Sequence, residues 1–166
     1  MGWTDSRIFT QALLNPIMGR LWTTAAPTLF SSLSADAVNV ALFNNTTTPD
    51  RDAAVGSTGF NTGVWVTGNE VIDTGGSNWA SGGRALASKA FAAGTSIVNF
   101  DAADLAGAGN VTIAAAFGAF VYDSTITGGT VAKQGMCFNY FGGSQGVTGG
   151  TFTVVWDATG IFKVTL

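Results

Sequence analysis

Any catalysis by this sequence has to start from its acidic side chains, because it contains no histidine. That absence removes Ser-His-Asp and Cys-His relays together with the commonest transition-metal ligand. Ten Asp and Glu residues remain. A glycosidase needs two of them facing across a cleft about 5–9.5 Å wide. Asp101 with Asp104, or Glu70 with Asp73, are the pairs to consider, yet both fall where strands give way to turns, a common place for Asp. Asp50-Arg51-Asp52 spaces two carboxylates at i, i+2 but lacks the third acid, the sixth-position Gly and the twelfth-position Glu of a calcium loop. The Gly-rich run Gly75-Gly76-Ser77-Asn78-Trp79 matches neither phosphate-binding pattern. Cys137, the single cysteine, lies in the apolar stretch Met136-Cys137-Phe138 and reads as a buried, inert thiol. The expectation is a protein with no catalytic residues, no cofactor and no metal.

The five tryptophans are the other side chains able to bind something. Trp156 alternates with Phe152 and Val154 and reads as core. Trp65 and Trp79 flank loops; they are core residues or loop anchors, or else contacts to a ligand or subunit. Trp3 precedes the first element and suits an intersubunit contact as well as the domain's own core.

The elements that must position these residues are mostly strands. Residues 4–15 predict a short amphipathic helix, capped by Thr4 or Asp5, with Phe9, Leu13 and Ile17 recurring beside Ile8 and Ala12 and an end or kink at Pro16. A connector follows to about residue 35. From Asp36 the pattern becomes period two, with Val38, Val40 and Leu42 facing one way and Ala37, Asn39 and Ala41 the other, which predicts a half-buried strand. Residues 44–63 form a polar, aperiodic stretch that reads as a projecting loop or a partner-binding segment. Further strands are expected at 64–72, 84–90, 96–102, 111–122, 130–141, 151–156 and 161–166, the last two as a hairpin around Asp157-Ala158-Thr159-Gly160. Pairs such as Gly82-Gly83, Gly142-Gly143 and Gly149-Gly150 supply the turns. Residues 113–121 have the propensity of a helix, but Phe117, Gly118 and Phe120 between β-rich neighbours predict a buried strand. The fold class is therefore mainly β, an antiparallel β-sandwich of seven to eight strands over 36–166, preceded by a helical arm and connector over 1–35.

Composition narrows the class of partner. Of the 166 residues 46% are apolar and only 10% charged, against about 25% in an average protein. The surface must be a neutral skin of Thr, Ser, Asn, Gly and Ala, with little electrostatic protection against association. The seven basic residues are scattered along the chain and the net charge is −3, which disfavours nucleic acid. No run of 18 apolar residues suggests a membrane span, and no leader pattern is expected at Met1-Gly2-Trp3-Thr4-Asp5.

Several segments, taken in order, carry a resemblance. They are Asp36-Ala37-Val38-Asn39-Val40-Ala41-Leu42-Phe43-Asn44, a Thr/Pro/Asp loop, Gly68-Asn69-Glu70-Val71-Ile72-Asp73, and Trp79-Ala80-Ser81-Gly82-Gly83-Arg84-Ala85-Leu86. Asn99-Phe100-Asp101-Ala102-Ala103-Asp104, Phe120-Val121-Tyr122-Asp123 and a terminal GGTFTVVWDATGIF complete the series. Over nearly the whole chain this resembles a group of small bacteriophage virion structural proteins of the capsid decoration, or minor capsid, type. Each motif alone is weak, and Trp79 stands where a Tyr before the Gly-Gly pair is usual. The resemblance implies a virion location and no catalytic residues.

The expected function is thus that of a non-enzymatic decoration protein on the outer capsid, a homo-oligomer such as a trimer that clamps copies of the major capsid protein. Its contacts are expected from the arm and the long loop: Trp3, Ile8, Phe9, Leu13, Pro49 and Arg51, with Trp65 and Trp79 beside them. Removal of residues 1–17 is then expected to leave a soluble sandwich that no longer binds capsids. The alternatives are a minor tail or head–tail connector protein of the same fold, and a carbohydrate-binding module stacking sugars on Trp65 and Trp79.

Overall fold

The computed structural model describes residues 2–10, 12, 36–75, 78–106 and 109–165. The fold is mainly β, and every strand pairing among these residues is antiparallel. Its centre is a sheet of six strands. β1 (Arg7–Ile8) pairs β9 (Gly135–Gly150), which pairs β8 (Val111–Asp123), which pairs β2 (Val38–Phe43). The far side of β2 is shared by β3 (Glu70–Val71) and β4 (Arg84–Ala85). A second layer holds a three-stranded sheet in the order β11 (Phe162–Thr165), β6 (Ile97–Asp101), β5 (Ala90–Gly94), and a two-stranded one of β7 (Leu105–Ala106) with β10 (Thr153–Val154).

Alternation on the central strands fills two cores, one on each face of the sheet. Val38, Val40, Leu42, Ala119 and Val121 pack against Phe100, Leu105, Phe152, Val154 and Ile161 of the second layer. This is the predicted sandwich. On the opposite face Ala41, Phe43, Phe120, Tyr122 and Phe138 meet Trp3, Phe9, Phe60 and Trp65. Trp65 stacks on Phe120 with centroids 4.3 Å apart, and Phe9 stands edge-on to both rings at 5.8 and 5.9 Å. Such aromatic pairs add about 0.5–1.5 kcal/mol each beyond the area they bury. β2 is therefore buried on both faces from Val40 to Phe43, where the sequence predicted burial on one.

The cover over that second face corrects two expectations. The first half of the predicted helix is extended: Arg7 pairs with Phe138 and Ile8 with Cys137, and the Phe9 amide donates to the Met136 carbonyl at 3.0 Å. Only Thr10 and Ala12 are helical, and the rest of the expected helix, with Leu13 and Pro16, lies outside the described residues. The spacing of Ile8, Phe9 and Ala12 suits a helix, but the open edge of β9 offers the same residues a ladder, and tertiary context overrides so weak a propensity. Residues 2–10 thus belong to the same packed unit as the sandwich, not to a separate arm. The stretch 44–63 does not project either. Thr47, Thr58 and Phe60 are buried, Phe60 stacks on Tyr122 at 4.9 Å, and the Thr58 carbonyl accepts the Gly135 amide at 2.8 Å. A bridge between Gly59 and Gln134 and a Gln134 Nε2 bond to Thr58 Oγ1 at 2.7 Å complete the attachment.

After residue 64, β4, β6, β8, β10 and β11 stand where strands were predicted, whereas only Glu70–Val71 of 64–72 is strand, β9 starts later than predicted and runs on to Gly150, and β5 and β7 were not predicted. Residues 151–166 do not close on themselves: β10 pairs β7 and β11 pairs β6. The Gly142-Gly143 pair lies inside β9 rather than at a chain reversal. There the register skips from Gly118↔Tyr140 to Ala116↔Gln145, and both glycines take positive φ, as a bulge requires. Residues 113–121 are strand, as Phe117, Gly118 and Phe120 between β-rich neighbours indicated.

Candidate functional site

Of the residues expected to meet partners, the structure buries the four large aromatics in the chain's own cores. Trp3 is 5% exposed, Phe9 and Trp79 0% and Trp65 1%. Trp3 is pinned further by its indole N–H, which donates to the Asn44 carbonyl at 2.9 Å, and its ring lies over Gly118, where a β-carbon would displace it. Trp79 meets Phe152 edge-on at 5.7 Å. None of these rings offers a free face, so Trp65 and Trp79 are not sugar-stacking platforms and Trp3 and Phe9 are not intersubunit anchors. Their hydrophobic payload is already committed to folding. Ile8 and Pro49 are half-buried and Arg51 is exposed, and it is Ile8 and Arg51 that recur below.

The carboxylates weighed for catalysis hold turns. Glu70 accepts the Ser81 hydroxyl at 2.6 Å and the Gly82 amide at 2.8 Å, tying β3 to the turn before β4. Burial pushes its carboxyl above the ordinary Glu range. Gly82 in turn receives the Tyr122 hydroxyl on its carbonyl at 2.7 Å, and the phenol is pushed up to about 12, mainly by burial. Gly83 sits at φ +71°, and a β-carbon there would collide with the Val40 carbonyl. The Asn-Glu-Val and Trp-x-x-Gly-Gly motifs are thus one clamp across the far edge of β2. Asp73 is buried and caps Gly75 and Thr112 through Oδ1, at 2.9 Å each. Asp101 accepts the Ala102 amide and Asp104 the Trp156 amide, each at 2.9 Å. Cys137 is buried and burial raises its thiol pKa, which disfavours the reactive thiolate. Among the described residues no group of three or more His, Cys, Asp or Glu could hold a metal, and no helix is long and apolar enough to cross a membrane.

A groove of about 580 Å³ lies between the N-terminal segment and the stretch formed by the 157–160 turn and β11. One wall is β1 with its flanks, Ser6 and Thr10; the other runs from Thr159 into β11 as far as Lys163; Ile8 adds a half-buried apolar side chain, while Phe138 and Ile161 between them are almost wholly buried. Both walls are edge strands, β1 of the central sheet and β11 of the three-stranded one. Side chains fix them. Ser6 Oγ accepts the Tyr140 amide at 2.6 Å, Asn139 Nδ2 donates to the Ile161 carbonyl at 3.1 Å, and Asn99 Nδ2 donates to the Thr159 carbonyl at 3.2 Å.

Arg7, Arg51 and Lys163 are among the residues that line this groove, and no carboxylate is. The Thr10 amide donates to the Arg51 carbonyl at 2.9 Å and the Thr10 hydroxyl to Asp52 at 2.6 Å, which joins the 50–52 turn to the β1 wall. Each guanidinium is steadied from behind: Arg7 Nε meets Asp5 at 2.8 Å and Arg51 Nε meets Asp52 at 3.2 Å. The two arginine side chains are nevertheless 50% and 56% exposed. Asp52 is held below the usual carboxylate range by Thr10 and then Arg51, and Asp157 by Thr159 with a lesser contribution from Lys163. Each of the three cations thus has an Asp beside it, and the rim is a set of exposed charge pairs.

Arg51 and Ile8 are the only members of the expected contact set that the groove uses. Arg7, Lys163, Asn139 and Thr159 were not singled out, and no local signal could have done so. The cations stand at positions 7, 51 and 163, and their segments meet through the pairing of β1 with β9, the Thr10–Arg51 backbone bond and the Asn139–Ile161 bond. No family model, curated protein or solved structure matches this chain.

Proposed function

We propose that this protein is a non-enzymatic structural component of a bacteriophage virion, a decoration protein that coats the capsid by binding the major capsid protein and copies of itself. The observation that carries the proposal is the groove: a preformed channel between two sheet edges, rimmed by exposed charge pairs, in a molecule whose other acids and aromatics are engaged in holding its own fold. That is a docking geometry. An extended segment of a neighbouring protein fits it, since edge strands offer unpaired backbone groups and pockets give side-chain selectivity. The sparse charge of the whole chain supports the same reading, because a neutral surface suits a molecule held among neighbours.

Self-association has its own supporting feature at the other end of the three-stranded sheet. β5 is an edge strand of sequence Ala-Phe-Ala-Ala-Gly with no charge along it, and its Phe91 is 49% exposed. A binder of the closed shell that ignores dissociated subunits stabilises the shell by linkage. The test is the copy number of this protein in purified virions, by quantitative mass spectrometry against the major capsid protein. A simple lattice ratio is the expected result. A few copies per particle would move the protein to a vertex or the tail, as in the connector alternative, and absence from virions would overturn the proposal.

A further inference from the structure

We propose that Arg84 and Trp79 form a binding site for a small oxyanion, held by the guanidinium and the indole N–H at the sheet edge that carries β4. The assignment stands apart from the virion reading. Its first support is register: β4 pairs Arg84 with Val40, whose side chain is buried in the sandwich core, and Leu86, two residues on, joins the same core. Period two therefore turns Arg84 to the inside of the sandwich. Arg7 and Arg51 keep their charges on the surface beside an Asp, whereas Arg84 is half-buried and, among the described residues, pairs with no carboxylate. Its Nη1 is enclosed without an acceptor. A guanidinium taken out of water ordinarily has a charged partner.

Trp79 supplies the second donor. Its side chain is 0% exposed, its Nε1 has no acceptor, and its ring centroid lies 5.6 Å from the Arg84 guanidinium carbon. The ring face offsets part of the charge but satisfies neither N–H. Trp156, which packs against the same core as Phe152 and Val154, brings a further buried indole N–H without an acceptor, and Phe152 meets Trp79 edge-on at 5.7 Å. Enclosed donors left unpaired are costly. Three in one core, one of them cationic, call for an acceptor that carries negative charge. Asp104 does not serve, since it accepts the Trp156 amide at 2.9 Å and forms no ion pair with Arg84. β4 pairs with β2 alone, and Arg84 keeps part of its surface in solvent, so a small ion can reach it.

The test follows the five indole N–H signals of the full chain, labelled with nitrogen-15, as acetate, and separately sulfate, replaces chloride at constant ionic strength. A saturable shift confined to one or two of the five is expected, with a rise in Tm over the same range. Affinity should fall at least about tenfold in R84Q and return in part in R84K, which restores the charge but not the planar donor pair. General stabilisation by sulfate acts on parent and variant alike. Acetate saturating first identifies a carboxylate as the ligand, and sulfate first a tetrahedral oxyanion. If R84Q does not fold, the parent titration alone decides. Signals that stay in place with both anions, as when buried water alone meets these donors, would overturn the assignment, as would a shift of all five together or a response that R84Q retains.

Discussion

At the scale of single residues several carboxylates sit in hydrogen-bonded corners of the fold, and one of them is held there at a cost. Asp123, at the end of β8, is wholly buried. Its Oδ1 accepts the Thr125 amide at 2.8 Å, while Oδ2 is enclosed beside Asp36. Burial, and then the neighbouring Asp36 carboxylate, raise its pKa above the ordinary Asp value. The folded state therefore holds this proton more tightly than the unfolded chain. The stability linked to Asp123 is greatest below the ordinary Asp range, falls as pH rises from there to the raised value, and stays at its lower level above it. Asp123→Asn keeps the acceptor for Thr125 and removes the buried charge. It should raise stability at pH 7 by about 1 kcal/mol, roughly 2–4 °C in Tm, with the gain vanishing in acid. Asp123→Ala strands the Thr125 amide and should give no such gain. Thermal melts of both variants at neutral and acidic pH check the assignment, and a D123N gain that persists in acid would refute it.

At the scale of elements, the second face of the central sheet decides how the chain behaves when cut. Trp3 and Phe9 are core residues, and β1 completes the sheet edge at β9. Loss of a buried aromatic costs about 3–5 kcal/mol, and a domain has about 5–15 in total. A chain lacking residues 1–12 should therefore melt far below the full protein or fail to fold, where the amphipathic-arm reading expected an intact sandwich. A denaturant midpoint close to that of the full chain would contradict the packing described for Trp3. β2, β6, β8, β10 and β11 were legible because runs such as Val38-x-Val40-x-Leu42 and Phe152-x-Val154 alternate and because Gly-rich turns separate them, whereas β5 (Ala-Phe-Ala-Ala-Gly) and β7 (Leu-Ala) carry no such alternation. What hid was pairing. Ile8, Phe9 and Ala12 carry no mark that distinguishes a helix from an edge strand, and Thr58 and Phe60 sit in a run whose polarity matched an exposed loop. Phe162 and Val164 alternate as a hairpin arm would, yet β6 is the partner they take. The groove was hidden for the same reason, since the segments of Arg7, Arg51 and Lys163 meet only once the chain has paired.

At the scale of the whole molecule the open feature left to account for is the β5 edge, and it bears on whether the protein acts alone. Natural edge strands are usually blunted by charge, Pro, a bulge or a covering segment. Among the described residues, β5 has no partner beyond β6, and neither Ala90, Phe91 nor Ala92 carries charge or is buried. Phe91 rests one side of its ring on Phe100 at 4.9 Å and leaves the rest to solvent. An antiparallel pairing of two β5 strands about a two-fold axis at Ala92 would set Ala90 opposite Gly94 and Lys89 opposite Thr95, so no like charges meet. It would also bring the two Phe91 rings to the same junction. Ala92→Lys inserts a charge at the centre of that pairing, on a side chain that takes no part in the core, so its effect on Tm should stay within about 0.5 kcal/mol. Sedimentation velocity over a concentration series should show the parent protein associating and the variant shifted toward monomer. If the two sediment alike while both associate, the contact between copies lies elsewhere, and the neutral surface rather than the β5 edge must supply it.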